Sequence, residues 1–256
     1  MDSILFVTAY RDIDRKNWAN YKRTTDDYLC YFFRLADIIQ YPMLVFLEEP
    51  LLEKLSKYRF SPWIVFERLD KVATFYDEFL EKDREIMASK IYKDKIPDCR
   101  KKHPEHLYSE YNLINHSKPC FISAAKTRYP DYTFYSWIDF GFVRDIANIP
   151  RNLNLCDIPK DKIIYQSICE LIPSHRPDAD AMLASYDIYL TGSSFIVGSS
   201  LVEQFEEMYR GKIREMQDRN ITDDDQSFIL QIYYDHPELF CVYYHPEWCK
   251  LYDVVT

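Results

Sequence analysis

The 256-residue chain is expected to fold as an α/β protein with a Rossmann-like, mainly parallel sheet flanked by helices. Three observations predict this. Short apolar runs are closed by charge or proline, as strands buried on both faces require. Those runs alternate with segments whose apolar residues recur at helical spacing, which is the order of an α/β sandwich. A hydrophobic fraction of 47% with 29% charged residues suffices for a sizeable core and a solvated exterior.

Residues 4–10, ILFVTAY, form the first strand. Between Asn17 and Ile39, Tyr21, Tyr28, Phe32, Leu35 and Ile39 mark one face of a helix. Pro42 opens and Pro50 closes MLVFLEEP, a second buried strand. Residues 51–58 read as a short helix and 63–69, WIVFERL, as a third strand. Residues 72–102 mix both signs of charge and read as helix with a solvated face. Residues 107–129 continue as helix, with Pro119 marking a break or a first turn. YTFYSWIDFGF, 132–142, is a strand ending at Asp139-Phe140-Gly141. A loop rich in Pro and Asn follows, then strand candidates at 162–169 and 186–200, helices at 200–213 and 223–235, and a last strand at 239–248 with an irregular tail. With no repeat, low-complexity tract or linker, one domain over 1–256 is expected.

The formal charge of −9 repels phosphate backbones and anionic lipid, and no basic patch opposes it, so nucleic acid is not an expected partner. Four glycines exclude the Gly-rich phosphate loops of Rossmann dehydrogenases, P-loop NTPases and protein kinases. Seven scattered cysteines without a CxxC read as reduced thiols. The first residues lack the basic region of a leader and soon become charged, and no apolar run is long enough to span a bilayer, so a cytoplasmic location is expected.

Four places carry candidate chemistry. Asp139, at the end of a buried strand and two residues before Gly141, lies where open α/β sheets bind ligands; it reads either as a cation ligand or as a cap. LTGSSFIVGSS, 190–200, places Gly192 and Gly198 around an apolar strand and reads either as turns or as a surface for a polyhydroxylated ligand. Asp223-Asp224-Asp225-Gln226 opens a helix; its acids suit the helix dipole, while Asp225 and Gln226 pair an acceptor with an amide able to orient sugar hydroxyls. His245 reads either as structural or as a metal ligand. Most of the 42 aromatic rings belong to the core, while Trp137 and Trp248 are candidates for stacking on sugar.

In order along the chain, FVTAY, YPMLVFLEE, the Lys118 segment, WIDFGFVR, TGSSFIVGSS and TDDDQSFIL resemble the HtrL/YibB family of glycosyltransferase-like proteins of the GT-A type. The resemblance implies a nucleotide-binding half over about 1–145 and a sugar and acceptor half over about 146–256. It implies a UDP- or GDP-sugar donor, a saccharide or hydroxylated acceptor, and a divalent cation, manganese or magnesium. Thr8, Ala9 and Tyr10 would line the nucleotide pocket, and Glu48 would meet base or ribose. Lys118 and Arg144 would face the diphosphate. Asp139, whose motif lacks the second acid of a DxD sequence, would hold the metal with His245. Gly192 and Gly198 would frame the sugar, and Asp225 with Gln226 would act at the transfer step. The competing readings are a nucleotide-sugar-binding or structural protein without turnover, and a metal-dependent phosphohydrolase. Aromatic surface would also allow a homodimer.

Overall fold

A computed structural model describes residues 2–144, 153–172, 176–185 and 187–254. Seven strands form one sheet: β1 (Ile4–Tyr10), β2 (Met43–Leu47), β3 (Ile64–Arg68), β4 (Phe134–Ile138), β5 (Ile163–Ser167), β6 (Ser194–Gly198) and β7 (Phe240–Tyr244). Their order is β3-β2-β1-β4-β6-β5-β7. β6 runs antiparallel to β4 and β5, and every other pairing between these strands is parallel. The mainly parallel α/β architecture expected from the sequence is therefore present.

Alternation along β1 explains its unbroken apolar run. Leu5 and Val7 join one core with Leu44, Phe46, Tyr135 and Trp137, while Ile4 and Phe6 join the other with Met43, Val45 and Phe134. Both faces are covered, so neither tolerates a polar stripe. The second face is closed by α1 (Thr25–Ile38) and α2 (Glu49–Leu55), through Leu29, Phe32, Leu35 and Leu55. The first face carries α3 (Phe75–Ala88), α4 (Lys90–Lys95), α5 (Ser109–His116) and α6 (Lys118–Arg128). Three further helices follow on that face, α7 (Ala179–Ala184), α8 (Val202–Asp218) and α9 (Asp225–Asp235), with a short α10 (Leu251–Val254) at the end.

Several boundaries differ from expectation for local reasons. The first helix begins at Thr25 rather than near Asn17, because Thr24 and Asp27 form a reciprocal capping box: Thr24 Oγ1 accepts from the Asp27 amide at 3.1 Å and Asp27 Oδ2 accepts from the Thr24 amide at 2.7 Å. β2 stops at Leu47, and Glu49 and Pro50 open α2, proline being suited to a first helical turn. Pro119 likewise sits in the first turn of α6. Residues 72–102 are not a solvated face throughout, since Phe75, Phe79, Asp83 and Ile86 of α3 are buried. In the segment 186–200 only Ser194–Gly198 is a strand, and Leu190 makes a single bridge to Ser167. Residues 145–152 of the Pro/Asn-rich loop, and Tyr186, lie outside the described residues.

Candidate functional site

The chain builds β1, β2 and β3 outward on one side and then returns to add β4 on the other side of β1. This reversal leaves a crevice beyond the carboxyl ends of β1 and β4, the usual ligand position in open α/β sheets. A cavity of about 600 Å³ opens there. Ala9 and Tyr10 reach it from the end of β1, Asp139 and Gly141 from the end of β4, and Gly192, Asp225 and Gln226 from the second half of the chain.

Lys118 organises the floor. Its side chain is only 5% exposed, and its ammonium reaches the Gly192 carbonyl at 2.7 Å, Asp225 Oδ2 at 2.6 Å and Asp139 Oδ1 at 3.3 Å. Three donors thus meet three acceptors. Burial pulls the lysine pKa down, but Asp139 and Asp225 outweigh that effect and leave it above the ordinary value. Asp139 Oδ1 also accepts from Trp137 Nε1 at 2.8 Å, which orients the indole beside the cavity. Gly192 is required by the Asp225 carboxylate: a β-carbon there would lie 2.7 Å from Oδ1, 2.8 Å from Cγ and closer still to Oδ2.

The walls are cationic. Among the described lining residues, Arg11, Arg15, Arg23, Lys118 and Arg144 supply five positive charges against Glu105, Asp139 and Asp225. This excess stands inside a chain of net charge −9. The Arg11 guanidinium lies 4.2 Å from the Tyr76 ring centroid, and Arg15 donates to the Tyr28 hydroxyl at 2.6 Å and lies 4.7 Å from the Trp18 ring. Such stacking fixes the direction of a guanidinium while leaving donors for an anion. Sequence reasoning missed Arg11, Arg15 and Arg23, although all three follow the first strand closely.

Of the residues expected in the site, Ala9, Tyr10, Lys118, Asp139, Gly141, Arg144, Gly192, Asp225 and Gln226 line this cavity, as do Trp137 and Trp248. Four others lie elsewhere. Thr8 is wholly buried in the sheet beside Val45. Glu48 caps the start of α2 and accepts from the Asp12 amide at 3.1 Å. Gly198 pairs with Phe134 at the ends of β6 and β4 away from the cleft, roughly 13 Å along the strand from Ser194. Its role is packing, because a β-carbon would stand 2.7 Å from the Lys160 carbonyl carbon and nearer still to its oxygen.

His245 follows β7, three strands away from β4, and its Nδ1 accepts from the Glu247 amide at 3.1 Å. The expected pairing of Asp139 with His245 around a cation is therefore not assembled. The positive charge beside Asp139 is the ammonium of Lys118. Among the described residues, the one group of three side chains close enough to share a metal is Glu105, His106 and Asp223. Burial, followed by the charges of Arg100 and His103, pushes the His106 imidazole down to about 3. Burial pushes the carboxyls of Asp223 and Asp224 upward.

The fold and cavity define an α/β protein with a cation-lined cleft at the switch point of a mainly parallel sheet. A family model described as "Bacterial protein of unknown function (HtrL_YibB)" matches residues 2–256, and the chain belongs to the HtrL_YibB family. It is 28% identical to Protein HtrL of Escherichia coli (strain K12) over 260 residues, spanning 94% of this chain and 88% of that protein. Among solved structures it is similar to a glycosyltransferase involved in the glycosylation of the major capsid of PBCV-1, with 10% identity and a TM-score of 0.42 over 95% of this chain and 81% of the other. A likeness at that level amounts to a loose correspondence of elements. No described helix is long and apolar enough to cross a membrane.

Proposed function

We propose that this protein is a cytoplasmic glycosyltransferase of the GT-A type. One domain over residues 1–256 would hold the nucleotide in its first 145 residues and the sugar and acceptor in the remainder. It moves a sugar from a UDP- or GDP-sugar to a saccharide or other hydroxylated acceptor. The carrying observation is the five-to-three excess of cations around the switch-point cavity of an acidic chain. A locally positive, partly enclosed cleft concentrates anions against the field of the whole molecule.

Transfer breaks the bond between the anomeric carbon and the diphosphate oxygen, whose electrons leave with the diphosphate, and forms a bond from that carbon to the acceptor oxygen, whose proton passes to Asp225. Arg11, Arg15, Arg23 and Arg144 are the groups placed to neutralise that charge, through hydrogen bonds that strengthen as it develops. Lys118 acts as a positioning residue. Its three donors are already engaged, so it holds Asp139 and Asp225 in place and does not itself bind phosphate. Asp225 and Gln226 orient the sugar or acceptor hydroxyls, and the exposed ring of Trp248 offers a stacking face, while Trp137 is buried against Phe121. The donor set at Asp139 and His245 does not fit a shared metal, and no step is routed through one.

One observation favours the second reading, a nucleotide-sugar-binding protein without turnover. Two of the three described cleft carboxylates, Asp139 and Asp225, are already engaged by Lys118, and the third, Glu105, by Arg100. Melting curves with UDP-, GDP- and CMP-sugars, with and without manganese, combined with chromatographic detection of released nucleotide, test both readings. The expected result is a salt-sensitive rise in melting temperature with a UDP- or GDP-sugar, and release of the diphosphate. Asp225→Asn is expected to keep donor binding and lower release by about 100-fold. Binding without release in the unaltered chain supports the second reading. A melting curve indifferent to every nucleotide sinks both.

A further inference from the structure

We propose that Glu105, His106 and Asp223 form a binding site for one divalent first-row transition ion, distinct from Asp139 and independent of whether the cleft transfers sugar. The three residues are 8%, 8% and 2% exposed, and one potential ligand atom from each lies within 4.8 Å of the others. Proximity of acids is common without an ion, and the argument rests on the imidazole between them.

The Tyr92 hydroxyl lies 2.8 Å from His106 Nδ1 and 3.1 Å from the Thr222 carbonyl oxygen. A carbonyl only accepts, so the arrangement that gives every proton a partner has Tyr92 donating to Thr222 and His106 Nδ1–H donating to Tyr92. Nε2 of the neutral ring is then a bare lone pair. It is buried and has no hydrogen-bond partner among the described residues. One ring nitrogen of His106 lies within 4.8 Å of a carboxylate oxygen of both Glu105 and Asp223, and a cation there would satisfy a buried lone pair of the imidazole. A ring nitrogen fixed by a donated N–H on its far side is also the usual arrangement of a metal-bound histidine.

The surroundings agree. Glu105 Oε1 accepts from Arg100 at 2.8 Å and lies 3.4 Å from His103 Nδ1, while Asp223 accepts from the Ser227 hydroxyl at 2.6 Å and the Asp224 amide at 3.0 Å. Asn112, which donates to the Glu105 carbonyl at 2.8 Å and to Thr222 Oγ1 at 3.2 Å, carries a second buried acceptor, Oδ1, without a partner among the described residues. One nitrogen and two carboxylate oxygens suit zinc, manganese or cobalt better than calcium. With bonds of about 2.1 Å, tetrahedral ligand atoms stand roughly 3.4 Å apart, so each side chain moves by less than about 1 Å to close on the ion. Bound there, the ion ties the segment before α5 to Asp223, two residues before Asp225, and so braces two walls of the cleft.

The test uses the full chain stripped with a chelator and then titrated with Zn²⁺ or Co²⁺. Expected are one ion per chain by elemental analysis and a Co²⁺ visible spectrum free of thiolate charge-transfer bands, which separates this site from the free cysteines. His106→Gln and Asp223→Asn are each expected to weaken binding by about 100-fold with an unchanged circular dichroism spectrum, while Asp139→Asn leaves it intact. Nitrogen NMR of the unaltered chain provides a readout free of folding effects: the His106 Nε2 signal begins as an unprotonated nitrogen and shifts when zinc is added. No ion bound, a thiolate spectrum, an Nε2 signal indifferent to zinc, or loss confined to Asp139→Asn overturns the proposal.

Discussion

Replacing Lys118 with methionine is expected to destabilise the protein by about 3–5 kcal/mol, because it removes one partner of a buried charge cluster while leaving the others in place. The ammonium is the shared neighbour of Asp139, Asp225 and the Gly192 carbonyl, and the Asp225 side chain is only 10% exposed. Without the cation, Asp225 must protonate, draw in water or pull away from Gly192. A loss of that size lowers the melting temperature by about 6–20 °C for a chain of this length. Thermal melts monitored by circular dichroism read it directly. The double variant Lys118→Met/Asp225→Asn is expected to recover part of the loss, since it removes the stranded charge as well. An unchanged melting temperature in the single variant, or a double variant that is worse, contradicts the role assigned to Lys118. Nucleotide binding should weaken in the single variant too, because the cleft floor loses its geometry.

Gly198→Ala is expected to cost about 3 kcal/mol, near the upper end for overpacking a close contact. The added carbon meets the backbone carbonyl of Lys160, so a side-chain rotation gives no relief and a segment of chain must shift. Urea unfolding should show a lower midpoint with an unchanged slope, as a change in native-state stability alone predicts. Because Gly198 lies at the end of β6 away from the cleft, nucleotide binding at a temperature where the variant is folded should be unaffected. Gly192→Ala provides the contrast: its new carbon meets the Asp225 carboxylate, so binding or turnover suffers more than stability does. If the two alanines exchange these effects, the assignment of packing and site glycines is reversed.

These two glycines also show how far the sequence was legible. LTGSSFIVGSS indicated a strand bounded by glycines, and Ser194–Gly198 is that strand. Symmetry about an apolar run suggested that both glycines frame one ligand. Yet a strand carries its two ends to opposite ends of a sheet, and of the two glycines Gly192 faces the cleft. The same geometry separates His245 from Asp139, because both follow strands running the same way but three positions apart in a strand order that the chain sequence does not reveal. Thr8 was placed with Ala9 and Tyr10 as a neighbour in sequence, whereas it is Ala9 and Tyr10, nearer the strand's carboxyl end, that reach the cavity.

Arg11, Arg15 and Arg23 were hidden for another reason. In one dimension they blend with Asp12, Asp14 and Asp26, and no basic patch is visible. In three dimensions they turn toward one cavity, partly through the ring contacts that hold Arg11 and Arg15. Glu105 and His106 lay just past a stretch read as solvated, and their partner Asp223 was read with the acids that open α9.

What the amino-acid sequence determined by itself is the alternation of buried strands and amphipathic helices, and with it a mainly parallel sheet carrying Asp139 at the tip of a central strand. Hydrophobic period and turn chemistry act over a few residues, so they can be read one segment at a time. Tertiary structure alone decided that Lys118 meets Asp225, 107 positions further along the chain, and joins it to Asp139. It also decided that four arginines converge on the same cleft and that His106 meets Asp223. Those contacts depend on strand order and on which side chains lose their water together, and neither is a local property of the chain.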